Sequence, residues 1–428
     1  MKTNLLLLVA LLTVSLAKGQ NFVEASVGAS YAKQYFYDID NNTGFELGIE
    51  DWDLAFSTIG LQDAGIHVNE AAIFSFTTPA TEVEVYYTGM SDFSMVTAAE
   101  DTSYVRLYND ESNWGNGALN VNRSAVNPLD YGWGSYNPMS RIVVGAEVFV
   151  VKLRSGAYLK LMIENLNATV YNIKYANLDG TEEKTVQIDK ANFPGGLALF
   201  SFTTGATIDA DVSGVDLIFT RYTTPLPDTT TAVLDDTLNY NVTGVLSGIG
   251  TEVIEVAGVD TADVVLTSDM TFSTQLDEIG YDWKTFTGQW FLPKNLSYIV
   301  KTGEGKTYKV IYDDFEGFTT GVTVMVISEI SVVSNTNQTN RHFDAFTVAP
   351  NPTSGDLNVT YALKQASPQQ VMLSLYNNLG QSVWNARLNG SVGNNNERFQ
   401  LPAGLPTGHY YLRIQTGPSQ LTKKISIH

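Results

Sequence analysis

Short runs of β-branched and aromatic residues, separated by Gly, Asn and Asp, recur along the chain from Asn21 onward. Two examples are 81–88 (TEVEVYYT) and 141–153 (RIVVGAEVFVVKL), in which apolar residues often alternate with polar ones. Alternation with a period of two is typical of strands that bury one face, and the intervening residues favour turns. Long amphipathic helical patterns are hard to find. The pattern therefore predicts an all-β protein whose antiparallel sheets pack face to face.

Residues 1–19 carry the pattern of an export signal. Lys2 supplies a positive charge, and 5–16 is an apolar run dominated by Leu. Ala17 and Gly19 then place small residues at the two positions that a signal peptidase reads. The apolar run is too short to cross a membrane as a helix, which takes about 20 residues. We therefore expect this segment to be a cleaved signal peptide and the mature chain to be exported, with no transmembrane segment.

The chain repeats part of its own pattern once. The first matching pair shares an aromatic strand, a Gly turn and a strand that ends in Asp-Leu-x-Phe. The matching pairs are 35–56 with 199–219, 131–136 with 281–286, and 151–160 with 300–309. Because these segments follow in the same order, an internal duplication explains them better than chance. We expect two related antiparallel β domains, at 20–184 and 185–335.

A polar stretch at 336–342 has no apolar periodicity and is predicted to be a linker. Residues 343–428 contain six Lys or Arg and three Asp or Glu, whereas 20–342 contain 17 and 42. The net charge thus changes from −25 to +3 across the linker. Such an asymmetry indicates a third, separately evolved domain at 343–428.

Composition excludes several classes of protein. The whole chain carries 25 Lys and Arg against 45 Asp and Glu, a formal net charge of −20. A nucleic-acid backbone would meet mostly like charge, so nucleic acid is not expected as a partner. The chain has no cysteine, which rules out disulfides, thiolate metal sites and cysteine nucleophiles.

The C-terminal domain resembles the type A sorting domain that directs Bacteroidota proteins through the type IX secretion system. The blocks that carry the resemblance are 348–355 (VAPNPTSG), 375–380 (LYNNLG), 401–413 (LPAGLPTGHYYLR) and 423–425 (KKI). The resemblance implies a small C-terminal β-sandwich that acts as an export signal and binds the type IX secretion machinery. It also implies a secreted or outer-surface protein, with the domain removed on release or attached to surface lipopolysaccharide.

The two repeats resemble the HmuY family of secreted haem-binding proteins. The resemblance rests on 52–56 (WDLAF) in the first repeat and on the Val-Lys…Gly…Tyr…Lys strand pair in both. These are core and turn positions, so they indicate fold more directly than ligand. In a sandwich we expect Trp52 to be a core aromatic residue and Asp53 to face the other way, because side chains alternate along a strand. The resemblance implies capture of haem or a related porphyrin.

Haem iron in proteins takes His, Met, Cys or Tyr as axial ligands. His67 is the only histidine between the signal segment and the linker, and Met90, Met95 and Met139 could substitute for it. Each also has a simpler explanation, a loop or strand position for the histidine and hydrophobic packing for the methionines. If haem binds, the first repeat is the better candidate, with Arg106, Arg123 and Arg141 available for the propionates. No other metal site is expected.

Catalytic motifs are scarce. One histidine over some 310 residues leaves few bases for a serine nucleophile, and neither G-x-S-x-G nor a phosphate-binding glycine loop occurs. Asp51 and Asp53 could form a carboxylate pair on one strand face, although a solvated strand edge explains them more simply. The acidic stretch 38–44 departs from calcium-loop spacing and favours a hairpin turn. We therefore expect a non-enzymatic protein.

Two functions follow from the sequence. The first is an exported, surface-displayed protein that captures haem or porphyrin through its first repeat. The alternative is a haem-free surface interaction protein, of adhesin type, whose β domains bind polymeric or protein partners.

Overall fold

The computed structural model describes residues 21–61, 63–78, 81–98, 103–228, 236–332, 343–364, 370–377, 381–388, 390–416 and 419–428. The predicted signal peptide, 1–19, and the predicted linker, 336–342, lie outside the described residues. The chain divides into two compact units, Met1–Val332 and Val333–His428. Both units are built from antiparallel strands, so the predicted all-β fold class is confirmed.

The first unit contains strands throughout its described length. They are β1 (Asn21–Ser26), β2 (Lys33–Asp38), β3 (Thr43–Gly48), β4 (Leu54–Ser57), β5 (Ile66–Val68), β6 (Glu84–Met90), β7 (Val105–Leu107), β8 (Gly134–Asn137), β9 (Ile142–Gly145), β10 (Val148–Lys152), β11 (Tyr158–Asn167), β12 (Val170–Asn177), β13 (Lys184–Asp189), β14 (Leu197–Ser201), β15 (Ala206–Thr207), β16 (Leu217–Pro227), β17 (Thr237–Ser247), β18 (Glu252–Ala257), β19 (Thr285–Phe286), β20 (Trp290–Phe291), β21 (Leu296–Lys301), β22 (Thr307–Phe315) and β23 (Val322–Glu329). Short 3₁₀ helices occupy Ala29–Tyr31, Phe93–Met95, Ala118–Asn120, Lys190–Asn192 and Gly317–Thr319.

Four large sheets carry the first unit. The first outer sheet has the order β13-β12-β11-β10-β6-β7, with β8 and β9 attached through β11, and the first inner sheet has the order β15-β14-β4-β5. The second inner sheet has the order β17-β16-β2-β3, and the second outer sheet β1-β23-β22-β21-β18. Strands β19 and β20 form a separate small hairpin.

The four sheets stack as layers with a hydrophobic core between each pair. Leu54 and Phe56 of β4 point into the core of the first sandwich, between the first outer and first inner sheets. Ala55 points the other way, into a core between the two inner sheets. Strand β16 is also buried on both faces, and its Leu217 points into the core of the second sandwich. Strands buried on both faces account for the continuous apolar runs at these positions.

The two predicted repeats exchange strands. Strands β1 to β12 belong to the first repeat and β13 to β23 to the second, with the predicted boundary at 184/185 falling at the start of β13. Strand β1 nevertheless pairs with β23 in the second outer sheet, and β13 pairs with β12 in the first. The inner sheets are mixed as well, because β4 pairs with β14 and β16 with β2. Residues 20–184 and 185–335 thus both contribute strands to all four large sheets, and within the described residues they form one compact unit of two interlocked sandwiches.

The second unit is a small sandwich of two sheets. Its strands are β24 (Phe343–Ala349), β25 (Asp356–Leu363), β26 (Val371–Tyr376), β27 (Ser382–Leu388), β28 (Gly393–Gln400), β29 (Gly408–Thr416) and β30 (Ser419–Ile427). One sheet has the order β24-β25-β28 and the other β27-β26-β29-β30. Both sheets contribute to one core, with Val359 from the first and Leu373 and Leu412 from the second.

Candidate functional site

The predicted haem ligand His67 is buried between the two inner sheets. It lies in the middle of β5 and is only 3% exposed. Its Nε2 is 3.0 Å from the carbonyl oxygen of Trp114, and the two rings are 4.8 Å apart. Burial lowers the pKa of His67 to about 4, so the ring is neutral at physiological pH. The adjoining cavity has a volume of only about 60 Å³, far too small for a porphyrin.

The predicted methionine ligands lie elsewhere. Met90 ends β6 and packs against the hydrophobic cluster that contains Phe93, on the outward face of the first outer sheet. Met95 is 64% exposed in the 3₁₀ helix that contains Phe93, and Met139 is 96% exposed between β8 and β9. His67 points into the interior between the inner sheets, away from that face. The structure therefore does not bring the four predicted residues together into one site.

Asp51 and Asp53 do not form a carboxylate pair. Asp51 is exposed and accepts a hydrogen bond from the main-chain N–H of Gly48 at 2.6 Å. Asp53 is buried, accepts one from the N–H of Phe202 at 2.7 Å and lies 3.5 Å from Arg154. The prediction of a solvated strand edge is therefore wrong for Asp53, which is buried, and Asp51 is solvated but lies in the turn between β3 and β4.

Two smaller predictions agree with the structure. Trp52 is a core residue, and its indole N–H donates a hydrogen bond to Gln34 Oε1 at 2.7 Å. The acidic stretch 38–44 joins β2 to β3 as a hairpin turn. Among the described residues, no cluster of His, Cys, Asp and Glu is suited to hold a metal ion.

A larger cleft opens in the second sandwich, at the edge of β17. It has a volume of about 410 Å³ and lies among the segment after β5, the β19-β20 hairpin and the 3₁₀ helix at Gly317–Thr319. We call it the aromatic cleft, because most of its lining side chains are aromatic. The lining residues are Tyr31, Phe74, Phe76, Arg221, Tyr240, Asn241, Val242, Thr243, Tyr281, Lys284, Phe286, Trp290 and Phe318.

The walls of the aromatic cleft are rings in mutual contact. The centroids of Phe74, Phe76 and Phe318 are 4.9 to 5.5 Å apart. On the other wall, the rings of Phe286 and Trp290 are 5.1 Å apart. Phe76 is 76% exposed and Phe286 60% exposed, although large aromatic residues normally bury most of their surface. An exposed aromatic patch that lines a concave site indicates a binding surface.

The floor of the aromatic cleft holds two buried cations. Arg221 is 8% exposed and donates to the carbonyl oxygens of Ala72 at 2.8 Å and Asn241 at 2.7 Å. Lys284 is 7% exposed and donates to the carbonyl oxygen of Thr243 at 2.6 Å. Burial lowers the pKa of both groups, that of Lys284 to about 7. Each cation thus caps a main-chain carbonyl at the edge of β17.

Gly317 allows Trp290 to reach its place in the wall. Its φ of +68° lies in the left-handed region that favours glycine. A Cβ atom on Gly317 would lie 2.5 Å from Trp290 Nε1. The indole can therefore pack over the backbone only because this residue has no side chain.

The first sandwich has a smaller counterpart of the aromatic cleft. It measures about 310 Å³ and includes Tyr131 and Tyr136, which match Tyr281 and Phe286 in the duplicated segments. Gly134 stands at the position that matches Lys284. A Cβ there would lie 2.5 Å from the carbonyl oxygen of Val144, so no lysine fits. The position of Lys284 therefore has no cationic counterpart in the first sandwich.

The comparisons with known proteins identify the second unit. Residues 347–428 match the family described as the secretion system C-terminal sorting domain. The sorting domain predicted from the sequence is confirmed. Type IX secretion therefore carries the protein to the cell surface or the medium, and residues of the sorting domain engage the secretion machinery.

The comparison with solved structures covers most of the chain but is weak. One solved structure, described as PorZ, an essential bacterial surface component of the type IX secretion system of Porphyromonas gingivalis, is 10% identical, with a TM-score of 0.15. The alignment covers 96% of this chain and 58% of that one, and a score this low supports no conclusion about fold or function. No curated protein matches the chain. The HmuY-like resemblance of the repeats stays a prediction.

Within the described residues, no helix is both long and apolar enough to cross a membrane.

Proposed function

We propose that the protein is an exported, non-enzymatic binding protein whose ligand enters the aromatic cleft. This is the haem-free surface interaction function that the sequence offers as the alternative to haem capture, and the aromatic cleft gives it a candidate site. The observation that carries the proposal is the pair of ring walls, because Phe76, Phe286 and Phe318 all face solvent around one concavity.

The energetics favour a ligand with an apolar or aromatic body. Covering apolar surface stabilises a complex by about 25 cal/mol per Å². Ring pairs at the separations seen here add about 0.5 to 1.5 kcal/mol each. A cleft of about 410 Å³ accommodates a small molecule or a terminal unit of a polymer or peptide.

The lining of the cleft supports a binding function over a catalytic one. Among its described lining residues there is no histidine and no carboxylate, and Lys284, the one amine, donates hydrogen bonds to the carbonyl oxygens of Thr243 and Tyr281. The same residues include no serine or cysteine nucleophile next to a base. Stacking and charge are therefore the chemistry that this cleft offers.

Haem or porphyrin capture is the second candidate, at a different place from the one predicted. The aromatic walls offer apolar surface to a macrocycle, and Tyr240, which is 54% exposed in the cleft, has a phenol of the kind that ligates haem in some proteins. His67 and Met90 would take no part. A haemin titration of the full chain, followed by the Soret band, separates the candidates. A saturable shift lost in Tyr240→Phe but kept in His67→Ala would support haem in this cleft.

The proposed function is tested with a neutral aromatic probe, N-phenyl-1-naphthylamine, whose fluorescence rises in apolar sites. We expect saturable binding to the full chain that weakens in Phe76→Ser and Phe318→Ser. Phe22→Ser is the matched control, because Phe22 is 71% exposed on β1 and does not line the cleft. Equal binding by all three variants and the parent chain would overturn the proposal.

A further inference from the structure

We propose that the aromatic cleft selects ligands that carry an anionic group beside their apolar body, and that Arg221 and Lys284 bind this group. The inference rests on the proposed function, because it concerns the ligand of the same cleft. It adds a charge requirement that the aromatic walls alone do not impose.

Arg221 is a buried cation without a counter-ion. Among the described residues, no carboxylate oxygen lies within 4 Å of its guanidinium nitrogens. Its Nε has no hydrogen-bond partner among the same residues. Glu82, which influences the pKa of Arg221, is bound at 2.5 Å by Arg106 instead. Burying an unpaired charge costs several kcal/mol in general, so a site of this kind favours an incoming anion.

Arg154 provides an internal comparison. Its side chain is 9% exposed, and its guanidinium also donates to two main-chain carbonyls, those of Asn69 and Ala71, both at 2.9 Å. Its Nε, like that of Arg221, has no hydrogen-bond partner among the described residues. Unlike Arg221, it has a carboxylate beside it, because Asp53 lies 3.5 Å away. Capping of carbonyls therefore occurs in this chain with a counter-ion present. Arg221 lacks such a counter-ion among the described residues, and it is Arg221 that lines the aromatic cleft.

Lys284 places an amine near Arg221, and a bound anion would favour the charged form of this amine, whose pKa burial lowers to about 7. Its Nζ lies 4.1 Å from the ring centroid of Trp283 and 4.9 Å from that of Phe315, and no carboxylate oxygen of a described residue is within 4 Å. The carbonyls that the two cations cap belong to Asn241 and Thr243, two residues apart on one edge of β17. Such carbonyls are roughly 7 Å apart and point the same way. A single acidic group can lie between the two cations.

The overall charge of the protein narrows the ligand class. At a net charge of −20 the protein repels polyanions, whereas the electrostatic free-energy cost of approach is smaller for a compact monoanion. The aromatic walls require that this anion be attached to an apolar or aromatic body. The ligand class is therefore an amphipathic monoanion, such as an aromatic carboxylate or sulfonate.

Two probes that share one aromatic body test the inference. They are 8-anilinonaphthalene-1-sulfonate, which is anionic, and N-phenyl-1-naphthylamine, which lacks the sulfonate. With the full chain at low salt we expect the anion to bind at least about tenfold more tightly, as one charge-assisted contact would give. Arg221→Gln and Lys284→Met should each reduce this ratio severalfold while leaving the neutral probe within about twofold. Arg141→Gln, in the smaller cleft of the first sandwich, is the control and should change neither the affinity ratio of the two probes nor the affinity for the neutral probe.

The outcomes separate the two proposals. Equal affinity for both probes, unchanged by Arg221→Gln and Lys284→Met, overturns the anion inference and leaves the proposed function intact. Binding of either probe that ignores Phe76→Ser and Phe318→Ser overturns the proposed function itself. Circular dichroism checks the fold of each variant. If Arg221→Gln unfolds, Lys284→Met and the salt dependence of the anion-to-neutral ratio in the parent chain decide the matter, because only a charge contact weakens with salt.

Discussion

Asp53 and Asp216 make the same hydrogen bond in the two halves of the first unit. Asp53 accepts from the main-chain N–H of Phe202 at 2.7 Å, and Asp216 accepts from that of Ile39 at 2.9 Å. The two acids are 163 residues apart, and so are their two partners. Each acid directly precedes an inner-sheet strand, and each bonds to the opposite repeat. In both inner sheets, the repeated aspartate therefore stabilises the contact between strands that come from different repeats.

Asp216→Asn should weaken the pH dependence of stability. Burial, with Asp40 and Asp38 nearby, raises the pKa of Asp216 from its ordinary 3.8 to about 7. Because the folded pKa is the higher one, this group's stabilisation is complete below pH 3.8 and is lost as pH rises through 7. Each pKa unit corresponds to about 1.4 kcal/mol. Urea unfolding followed by tryptophan fluorescence between pH 5 and 8 should show a smaller loss in the variant.

The asparagine variant is nearly isosteric and can keep both hydrogen bonds. Its amide oxygen can accept from Ile39, and its amide nitrogen can donate to the hydroxyl of Thr251, which lies 3.2 Å from Asp216 Oδ1. The prediction would be contradicted if the free energy of unfolding of the variant differed from that of the parent chain by the same amount at every pH.

Glu70→Ala should destabilise the first unit by about 2 to 6 kcal/mol. Glu70 is 4% exposed, and its oxygens accept from the main-chain N–H groups of Asn109 at 2.9 Å and Thr223 at 3.1 Å. Each buried N–H left without a partner costs about 1 to 3 kcal/mol. Chemical denaturation provides the measurement. Glu24→Ala, at an exposed position on β1, should stay within about 0.5 kcal/mol, and an equal effect at both positions would refute the reasoning.

Gly317→Ala should impair the aromatic cleft. The new methyl group would displace Trp290 from the wall, and losing its ring contacts of about 1 kcal/mol should weaken the neutral probe roughly fivefold. Gly305→Ala is the matched control, because its φ is +84° but nothing lies within 4 Å of the added atom. Both variants should lose about 1 to 2 kcal/mol of stability from backbone strain. Probe titrations that weaken equally in both would rule out the role of Trp290.

Removal of residues 343–428 should leave the protein in the periplasm, because the sorting domain carries the type IX signal. Leu373→Asp should have the same effect, since it places a charge in the core of that domain. Val392→Asp is the matched control and should leave export unchanged, because Val392 is 58% exposed. Fractionation with detection of the chain in periplasm, surface and medium gives the result. Surface display of the truncated chain would show that another segment directs export.

The strand pattern allowed much of the fold to be predicted. The repeated Asp-Leu-x-Phe at Asp53 and Asp216 correctly located equivalent strands, and the segments 151–160 and 300–309 form equivalent hairpins in the two outer sheets. The partners of those strands could not be predicted. A repeat in sequence fixes the order of strands within each copy, but pairing between β1 and β23 leaves no local trace because their side chains alternate like those of any other strand.

The candidate site was harder to anticipate. His67 was a candidate because it is the lone histidine between the signal segment and the linker. It lies between Ile66 and Val68 in a strand that is buried on both faces, so a ligand cannot reach it. Arg221 and Lys284 belong to no motif. The nearest signal was the change from Gly134 to Lys284 within the duplicated segments, where a small residue in one copy is replaced by a charged one in the other.

The pairing of β1 with β23 also sets the order in which the first unit can complete its fold. Asn21 lies opposite Ile327, so β1 finds its partner only when the last strand of the unit is present. Closing a loop of about 300 residues is slow compared with forming local hairpins. We therefore expect the second outer sheet to be completed late in folding, after the local hairpins of the unit have formed.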